Sequence, residues 1–473
     1  LKLYHYQQKT RAFLKARKHA LLCDEMGVGK TPPAIVAAEE CAKRGHILAI
    51  CPAGVRDNFA RELRRWLVRP TEIHVIEQLD EPVPPAGISV VSFEFAVRNK
   101  ATLARNWEVI IVDEAHNLGS PDSQRAQAIL GAEGLIHHSD RMWLLTGTPM
   151  PSHAGQLWTL LYPIAENLAM DYNEWIDTFC TGYQYAGRKT ITGNVKGLAP
   201  LLQQIIRTSR VFLRRRKVDV MKELPAITHS DVLIEPYLDD ALLLDAFPDW
   251  LLMGKREKLE LKIKLEQDLL EKTLRDERFS QEGMNLLAAL SKSVSSLYRY
   301  IGIQKIHGIA ELIGGELGAK AYRQIVVFTI HKTVTEYLRQ GLKRFNPVTI
   351  YGGTPPAKKA KNQETFLKNP KCQVLIANVK SGGEGINLAE SGCHQVLFAE
   401  QSWIPGQVEQ AFNRVHRPPA KVPVTVRYAA LARSMDEQVV TYIRRKAASV
   451  ENILDGVTED AGMFAGETED IYG

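Results

Sequence analysis

The sequence predicts an α/β protein made of two parallel-sheet lobes with helical insertions between its motifs. Short apolar runs of strand length alternate with amphipathic stretches in the first 150 residues, and the same alternation returns beyond residue 320. The chain has 473 residues and 45% hydrophobic composition. Single cores rarely grow past about 250–300 residues, so more than one core is expected.

In the first half the runs are Ala20–Cys23, Ile47–Cys51, Ile88–Ser92, Val109–Asp113 and Met142–Thr146. Several are rich in β-branched residues and almost unbroken by polar ones, as strands covered on both faces are. The helical stretches between them complete the alternation of a parallel sheet. From about Trp158 to Ile313 the pattern turns helical. Within it Lys255–Arg278 sets Leu259, Ile263, Leu269 and Leu270 among dense charges, with Glu260 four residues before Lys264, the favourable order for a helical ion pair. It reads as a solvated helix with one buried stripe, a lever or spacer, the alternative being a partner-binding helix. Strand runs resume at Gln324–Thr329, Val348–Tyr351, Gln373–Asn378, Gln395–Glu400 and Val424–Ala430, and the residues from about Thr458 are acidic, Gly-rich and aperiodic. The expected organisation is a first lobe at 1–225 with a helical insertion at about 155–212, a helical linker at 226–318, a second lobe at 319–455 and a flexible acidic tail at 456–473.

The formal charge of +6 permits a polyanionic partner without identifying one. Cys23, Cys41, Cys51, Cys180, Cys372 and Cys393 are scattered with no C-x-x-C pair, which suggests neither a zinc module nor a disulfide framework and fits a reducing compartment. No apolar run approaches the roughly 18–20 residues that span a bilayer, and the start at Leu1-Lys2-Leu3-Tyr4 lacks a signal-peptide layout.

The chemistry is concentrated in two places of the first lobe. Asp24–Thr31 (DEMGVGKT) lies between a strand and a helix, where a phosphate-binding loop belongs. Gly27 and Gly29, with Val28 between them, let backbone N–H groups turn toward phosphate oxygens, and the following helix N-terminus adds partial positive charge. Lys30 is placed to reach the β and γ phosphates, and Thr31 to hold Mg²⁺ through its hydroxyl. The full eight-position pattern has Gly where Asp24 stands, so the loop is of the shortened form. Val109–His116 (VIIVDEAH) is a buried strand that delivers two carboxylates at its C-terminal end: Asp113 for the Mg²⁺ shell and Glu114 to orient or deprotonate the attacking water.

In order along the chain, DEMGVGKT, Ile47–Trp66 (ILAICPAGVRDNFARELRRW), Asp113–Asn117 (DEAHN) and Leu144–Pro151 (LLTGTPMP) resemble motifs I, Ia, II and III of the Swi/Snf-like branch of helicase superfamily two. Leu3–Gln7 (LYHYQ) resembles that family's adenine-reading element, and Arg214–Pro225 (RRRKVDVMKELP) its basic segment closing lobe one. Val379–Leu388 (VKSGGEGINL) and Gln401–Arg417 (QSWIPGQVEQAFNRVHR) resemble motifs V and VI.

The resemblance implies two RecA-like lobes with ATP between them. It also implies Gln7 as the base-reading amide, Gly385 beside the nucleotide, and Arg414 and Arg417 as arginine fingers for the charge developing on the transferred phosphoryl group. Three residues apart, the two arginines are expected on one helix face, ended by Pro418-Pro419 where the family has Gly and Gln; Glu384 also replaces a more usual apolar residue. Phosphate-backbone contacts are implied for Pro52–Asn58, Arg56 and Asn58 included, and for Thr146, Lys380, Ser381 and Gly382. Trp403 matches a tryptophan that touches the duplex, with a buried core aromatic as its alternative. His116 and Gln410 are expected to couple nucleotide state to the lobe interface.

Together these imply a DNA-stimulated ATPase that translocates on duplex or branched DNA without reading sequence, a monomeric motor with no membrane association. A strand-separating helicase and a nucleotide-dependent nucleic-acid-binding scaffold are the alternatives. The bare motor, without reader, finger or nuclease modules, is expected in a prokaryote or virus-infected cytoplasm.

Overall fold

A computed structural model describes residues 2–165, 167–185, 188–195, 197–237, 263–264, 267, 295–379, 388–402, 404–418 and 420–455. The chain divides into two compact units, Leu1–Cys180 with Val195–Glu223, and Thr181–Asn194 with Leu224–Gly473.

The first unit is built on strands β1 (His19–Leu22), β2 (Ile47–Cys51), β3 (Ile73–Val75), β4 (Ile88–Ser92), β5 (Val109–Asp113) and β6 (Met142–Leu145). Strands β7 (Cys180–Tyr185) and β8 (Arg188–Asn194) form a separate two-stranded sheet that, from Thr181 on, is grouped with the second unit, and β9 (Phe212–Leu213) returns to the first sheet. That sheet is wholly parallel in the order β3-β4-β2-β5-β6-β1-β9. Alternate residues of its central strands, among them Ala20, Leu22, Ile47, Ala49, Ile88, Val90, Val109, Ile111, Trp143 and Leu145, form one core with the helix Thr31–Cys41. The residues between them, such as Leu21, Leu48, Ile110 and Leu144, are fully buried on the other face. Burial on both faces is why these strands read as unbroken apolar runs.

The second unit carries β10 (Ile227–Ile234), β11 (Ile325–Thr329), β12 (Val348–Ile350), β13 (Val374–Asn378), β14 (Gln395–Phe398) and β15 (Val424–Leu431), again all parallel, in the order β10-β15-β14-β11-β13-β12. Ile325 and Val327 of β11 face one core and Val326 and Phe328 the other. The first of these cores includes Ile301, Ile306, Ile309, Ile313 and Leu317 of the helix Ser295–Gly318.

The two parallel-sheet lobes are as expected; the boundary between them differs. Strand β10 and the helix Ser295–Gly318 lie in the stretch expected to be a linker, and both belong to the second lobe. As an edge strand β10 is buried only in part, and its polar Thr228, His229, Ser230 and Asp231 hide it from a search for apolar runs. The expected insertion contains β7 and β8 besides helices. Most of Lys255–Arg278 and all of the acidic tail 456–473 lie outside the described residues.

Candidate nucleotide site

Register brings the motifs of the first unit to one edge of its sheet. Leu22 pairs with Leu145, and Leu145 with Asp113. The segments leaving β1, β5 and β6 therefore emerge side by side, at the carboxyl ends where α/β sheets bind ligands. The amide of Thr146 donates to the carbonyl of Leu22 at 3.0 Å, fastening the TGTP turn to the root of the phosphate loop.

Within that loop Gly27 and Gly29 both have φ of +85°, a conformation that glycine adopts without strain. Lys30 Nζ donates to the carbonyls of Asp24 at 2.8 Å and Glu25 at 3.4 Å, so its ammonium lies folded across the mouth of the loop. Thr31 opens the helix Thr31–Cys41, whose next two residues, Pro32 and Pro33, have no N–H. Their fixed φ suits the first helical turn. They also leave the amides of the loop as the available phosphate donors there, with the helix dipole behind them.

Gln7 is buried against the loop. Its Nε2 donates to Gly29 O at 3.1 Å and its Oε1 accepts from Tyr4 N–H at 3.0 Å, closing the N-terminal cap of the helix His5–Lys15. One N–H and one lone pair of the amide remain for a base. A Cβ on Gly29 would stand 2.8 Å from Gln7 Nε2, so this approach requires glycine. Tyr6 donates its hydroxyl to Val28 O at 2.9 Å, and burial holds that phenol protonated, its pKa raised to about 12.

The departure at Asp24 has a structural cause that sequence spacing concealed. Asp24 is 1% exposed. It is held by a two-pronged ion pair from Arg215, Nε to Oδ1 at 3.0 Å and Nη2 to Oδ2 at 2.5 Å. The same guanidinium bonds the Tyr6 carbonyl and the Thr10 hydroxyl. Next door, the Lys217 amide donates to Glu25 Oε2 at 2.7 Å, and Arg214 Nη1 reaches the carbonyls of Cys23 at 3.1 Å and Gly147 at 3.2 Å. The basic segment that follows β9 is thus a strut under the phosphate loop. Most of its partners lie about two hundred positions away in the chain, beyond the reach of local pattern reading.

The second carboxylate segment is strained. Glu114 has φ of +51°, a left-handed conformation costing a non-glycine residue about 1 kcal/mol or more. Its N–H donates to Asp113 Oδ1 at 3.0 Å, and its carboxylate lies 3.4 Å from His116 Nδ1. His116 Nδ1 is also 3.1 Å from Thr146 Oγ1, a hydrogen bond whose donor depends on the ring tautomer. Thr146 Oγ1 accepts from Thr148 N–H at 3.1 Å. Burial pushes the His116 imidazole below its ordinary range, Lys30 acts in the same direction and Glu114 against it. The ring is therefore neutral at pH 7. Thr146, expected at a DNA backbone, is fully buried. Its hydroxyl instead faces His116 Nδ1 and accepts from the Thr148 amide, holding the TGTP turn against the segment that follows β5. Gly147 in that turn has no room for a side chain: a Cβ would lie 2.1 Å from Met26 Sδ.

Arg56 donates to the carbonyls of Ala53 at 3.3 Å and Glu77 at 3.2 Å and also bonds that of Ile76, tying the start of its helix to the exit of β3. Asn58 is exposed and accepts from Arg61 at 3.2 Å.

In the second unit the helix Pro405–Phe412 carries Gln410 and stops at Phe412. Arg414 and Arg417 therefore sit in the turns that follow and not on one helix face, and Pro418 comes after the end. The Arg414 carbonyl accepts from Leu388 N–H at 3.0 Å, which pins this turn to the exit of the motif V segment. Lys380, Ser381, Gly382, Glu384, Gly385, Trp403 and Pro419 lie outside the described residues.

Comparison with known proteins bears on the family. Residues 6–243 match the model of the SNF2-related domain, and 304–419 that of the helicase conserved C-terminal domain. A Xenopus tropicalis SWI/SNF-related matrix-associated actin-dependent regulator of chromatin subfamily A-like protein 1 is 26% identical over 90% of this chain and 42% of its own length. The Bos taurus DNA annealing helicase and endonuclease ZRANB3 is 24% identical over 99% of this chain and 42% of its own. The chain thus spans under half the length of these relatives. A solved Sulfolobus solfataricus SWI2/SNF2 ATPase core in complex with dsDNA covers 97% of this chain and is covered over 94% of its own, at 19% identity and a TM-score of 0.43.

The expectation of a prokaryotic or viral setting is overturned by these relatives, which with those from Caenorhabditis elegans and Drosophila melanogaster come from animals and point to a eukaryote. A lack of appended modules in this stretch was no guide to source. With an SNF2-related domain over half the chain, a helicase C-terminal domain after it and the motifs on two parallel-sheet lobes, the chain belongs to the Swi/Snf-like, SNF2-related family of ATP-hydrolysing proteins in helicase superfamily two.

Proposed function

We propose that this chain is an ATP-dependent DNA translocase, a DNA-stimulated ATPase that tracks along duplex or branched DNA and remodels it or displaces bound proteins. One observation carries the reading: Lys30 in its glycine loop and the Asp113-Glu114 pair leave adjacent regions of one sheet edge, joined through His116, Thr146 and the TGTP turn. A phosphate cradle with a carboxylate for the metal and another for water are the parts that phosphoryl transfer to water needs.

ATP is the nucleotide, bound with Mg²⁺. The Thr31 hydroxyl and the Asp113 carboxylate are hard oxygen donors that suit Mg²⁺, which would neutralise charge on the β and γ phosphates. Lys30 contacts the same phosphates, and Gln7 offers its remaining N–H and lone pair to the base. Glu114, held in its left-handed turn, orients or deprotonates water, while the loop amides of Gly27 to Thr31 bind phosphate oxygens. Arg414 and Arg417 supply the cations for the transition state. His116 and Gln410 couple nucleotide state to movement. Arg56, Asn58, Lys380, Ser381, Gly382 and Trp403 are proposed to meet DNA, the first two from the segment after β2.

The test is ATP turnover without nucleic acid, with single-stranded DNA, duplex, forked duplex and RNA, with Lys30→Ala as the blank. Stimulation by duplex DNA that vanishes in the variant is expected. Turnover indifferent to every nucleic acid sinks the reading, and efficient separation of a plain tailed duplex favours a strand-separating helicase instead.

A further inference from the structure

The first sheet has a second feature at its other end. Where β1 and β9 begin, a cleft of about 970 Å³ opens between the ends of two helices, His5–Lys15 and Ala199–Ser209. Four of its lining side chains are cations, Arg17, Lys18, Arg207 and Arg210; none is acidic, and histidine is the only ring. Arg17 is anchored: Nε donates to Arg210 O at 2.6 Å, Nη1 donates to Phe13 O at 3.0 Å, and the guanidinium stacks 3.8 Å over the Phe13 ring. The side chains of Lys18, Arg207 and Arg210 are exposed and make no hydrogen bond or ion pair among the described residues. His19 places Nδ1 in the same neighbourhood, buried and without a hydrogen-bond partner there.

Like charges gathered in a concave wall repel one another and concentrate a positive field. Two helix C-termini end here, and their carbonyls favour nearby cations by roughly 0.3–1 kcal/mol each. That accounts for basic residues at these positions, but not for a cleft holding three of them without a carboxylate. The cleft also runs on into an adjoining cavity of about 470 Å³, which shares Ala16 and Lys18 and adds two cations, Lys43 and Arg141, beside two carboxylates, Glu108 and Asp140. Glu108 is already committed to the amides of Arg44 and His46.

We propose that this cleft seats the phosphodiester backbone of DNA, at a contact separate from the loops that follow the C-terminal ends of the strands. Length and chemistry favour a backbone over a nucleotide. The two cavities run on from one another, and no Phe, Tyr or Trp lines either to stack a base. Lysine and arginine on phosphates, unaided by base contacts, give binding without sequence preference. The inference rests on the DNA reading above.

The experiment measures duplex affinity of the full chain by fluorescence anisotropy over a range of salt, without nucleotide. Lys18→Gln/Arg207→Gln/Arg210→Gln is compared with Lys343→Gln/Lys361→Gln/Lys371→Gln, an equal charge change on exposed residues elsewhere. Neither set includes a residue of the nucleotide site, so basal turnover and thermal melting should match the parent in both. The cleft variant is expected to bind at least tenfold more weakly at low salt, with the log–log salt slope shallower by about 0.9 per lost contact, about 2.7 for three. The control set should change little.

Equal effects in the two variants would overturn the proposal, leaving only a general field. Unchanged duplex binding, with loss in the cleft variant of a melting shift induced by inorganic pyrophosphate in a Lys30→Ala background, would also overturn it and assign a small-anion site. A parent chain that binds no duplex removes the DNA reading and this inference together, whereas a parent that binds with an unaltered cleft variant removes this inference alone.

Discussion

Asp24 shows how a residue can look like a departure in the sequence and prove to be a fixture in the structure. Its carboxylate is buried and depends on Arg215 for compensation. Removing one partner of such a pair leaves an uncompensated charge and costs about 3–5 kcal/mol, whereas removing both costs much less. Arg215→Ala is therefore expected to lower the urea midpoint strongly, and Asp24→Asn/Arg215→Met to recover most of the loss. A double variant no more stable than the single one would show that Arg215 acts through Tyr6 and Thr10 alone. Gly147 makes a second, purely spatial case. Gly147→Ala drives a methyl into Met26, its Cβ 2.1 Å from Sδ and 2.5 Å from Cγ. The shift of the loop that follows should cut ATP turnover tenfold or more. Met26→Ala in the same chain removes both clashing atoms and should restore much of that turnover; if it does not, the contact is not the cause. The nearness of the Lys30 loop to the Asp113-Glu114 segment was legible, because each follows directly from a strand whose apolar run marks its end. Arg215 and Met26 were not, since their partners are distant in the chain or become close only through a turn.

At the scale of elements, the continuous apolar strands were legible nearly to the residue, because burial on both faces writes itself into composition. Strands β9 and β10 were not: one is a two-residue pairing at a sheet edge and the other a polar edge strand. The helix ending at Phe412 was missed for a related reason. Pro418-Pro419 marks a place where no helix can continue, but a helix can stop earlier through turns that the sequence does not punctuate. The start of β1 carries a pH dependence. Burial, with Lys18 beside it and His137 near, pushes the His19 pKa down to about 4. The unfolded chain, with a histidine near its ordinary value of about 6.5, then binds the proton more readily than the folded one. The stability due to neutral His19 is present above pH 6.5 and lost as pH falls from about 6.5 to about 4. His19→Gln removes that titration, so its melting temperature should fall less steeply across the window than the parent's. Parallel curves for the two proteins would show that other groups set the acid limit.

For the whole molecule, the decisive point is where the second lobe begins. Composition places the boundary near residue 319, where apolar strand runs resume, but the core of that lobe is closed by the helix Ser295–Gly318 and its sheet is extended by β10. Lys305 of that helix is fully buried; its Nζ donates to Asp436 Oδ2 at 2.6 Å and Ala429 O at 2.9 Å, and the same Asp436 oxygen accepts Leu431 N–H at 3.0 Å. A fragment starting at 319 loses Ile301, Ile306, Ile309, Ile313 and Leu317 from the core, each worth roughly 1.5–3 kcal/mol when buried. It also leaves Asp436 buried without its cation. Those losses are as large as the roughly 5–15 kcal/mol that holds a typical domain together. The fragment 224–455 keeps both features and should unfold cooperatively in urea, while 319–455 should show no cooperative transition. A cooperative transition in the shorter fragment would mean that the lobe closes without this helix, returning the boundary to the place where composition put it.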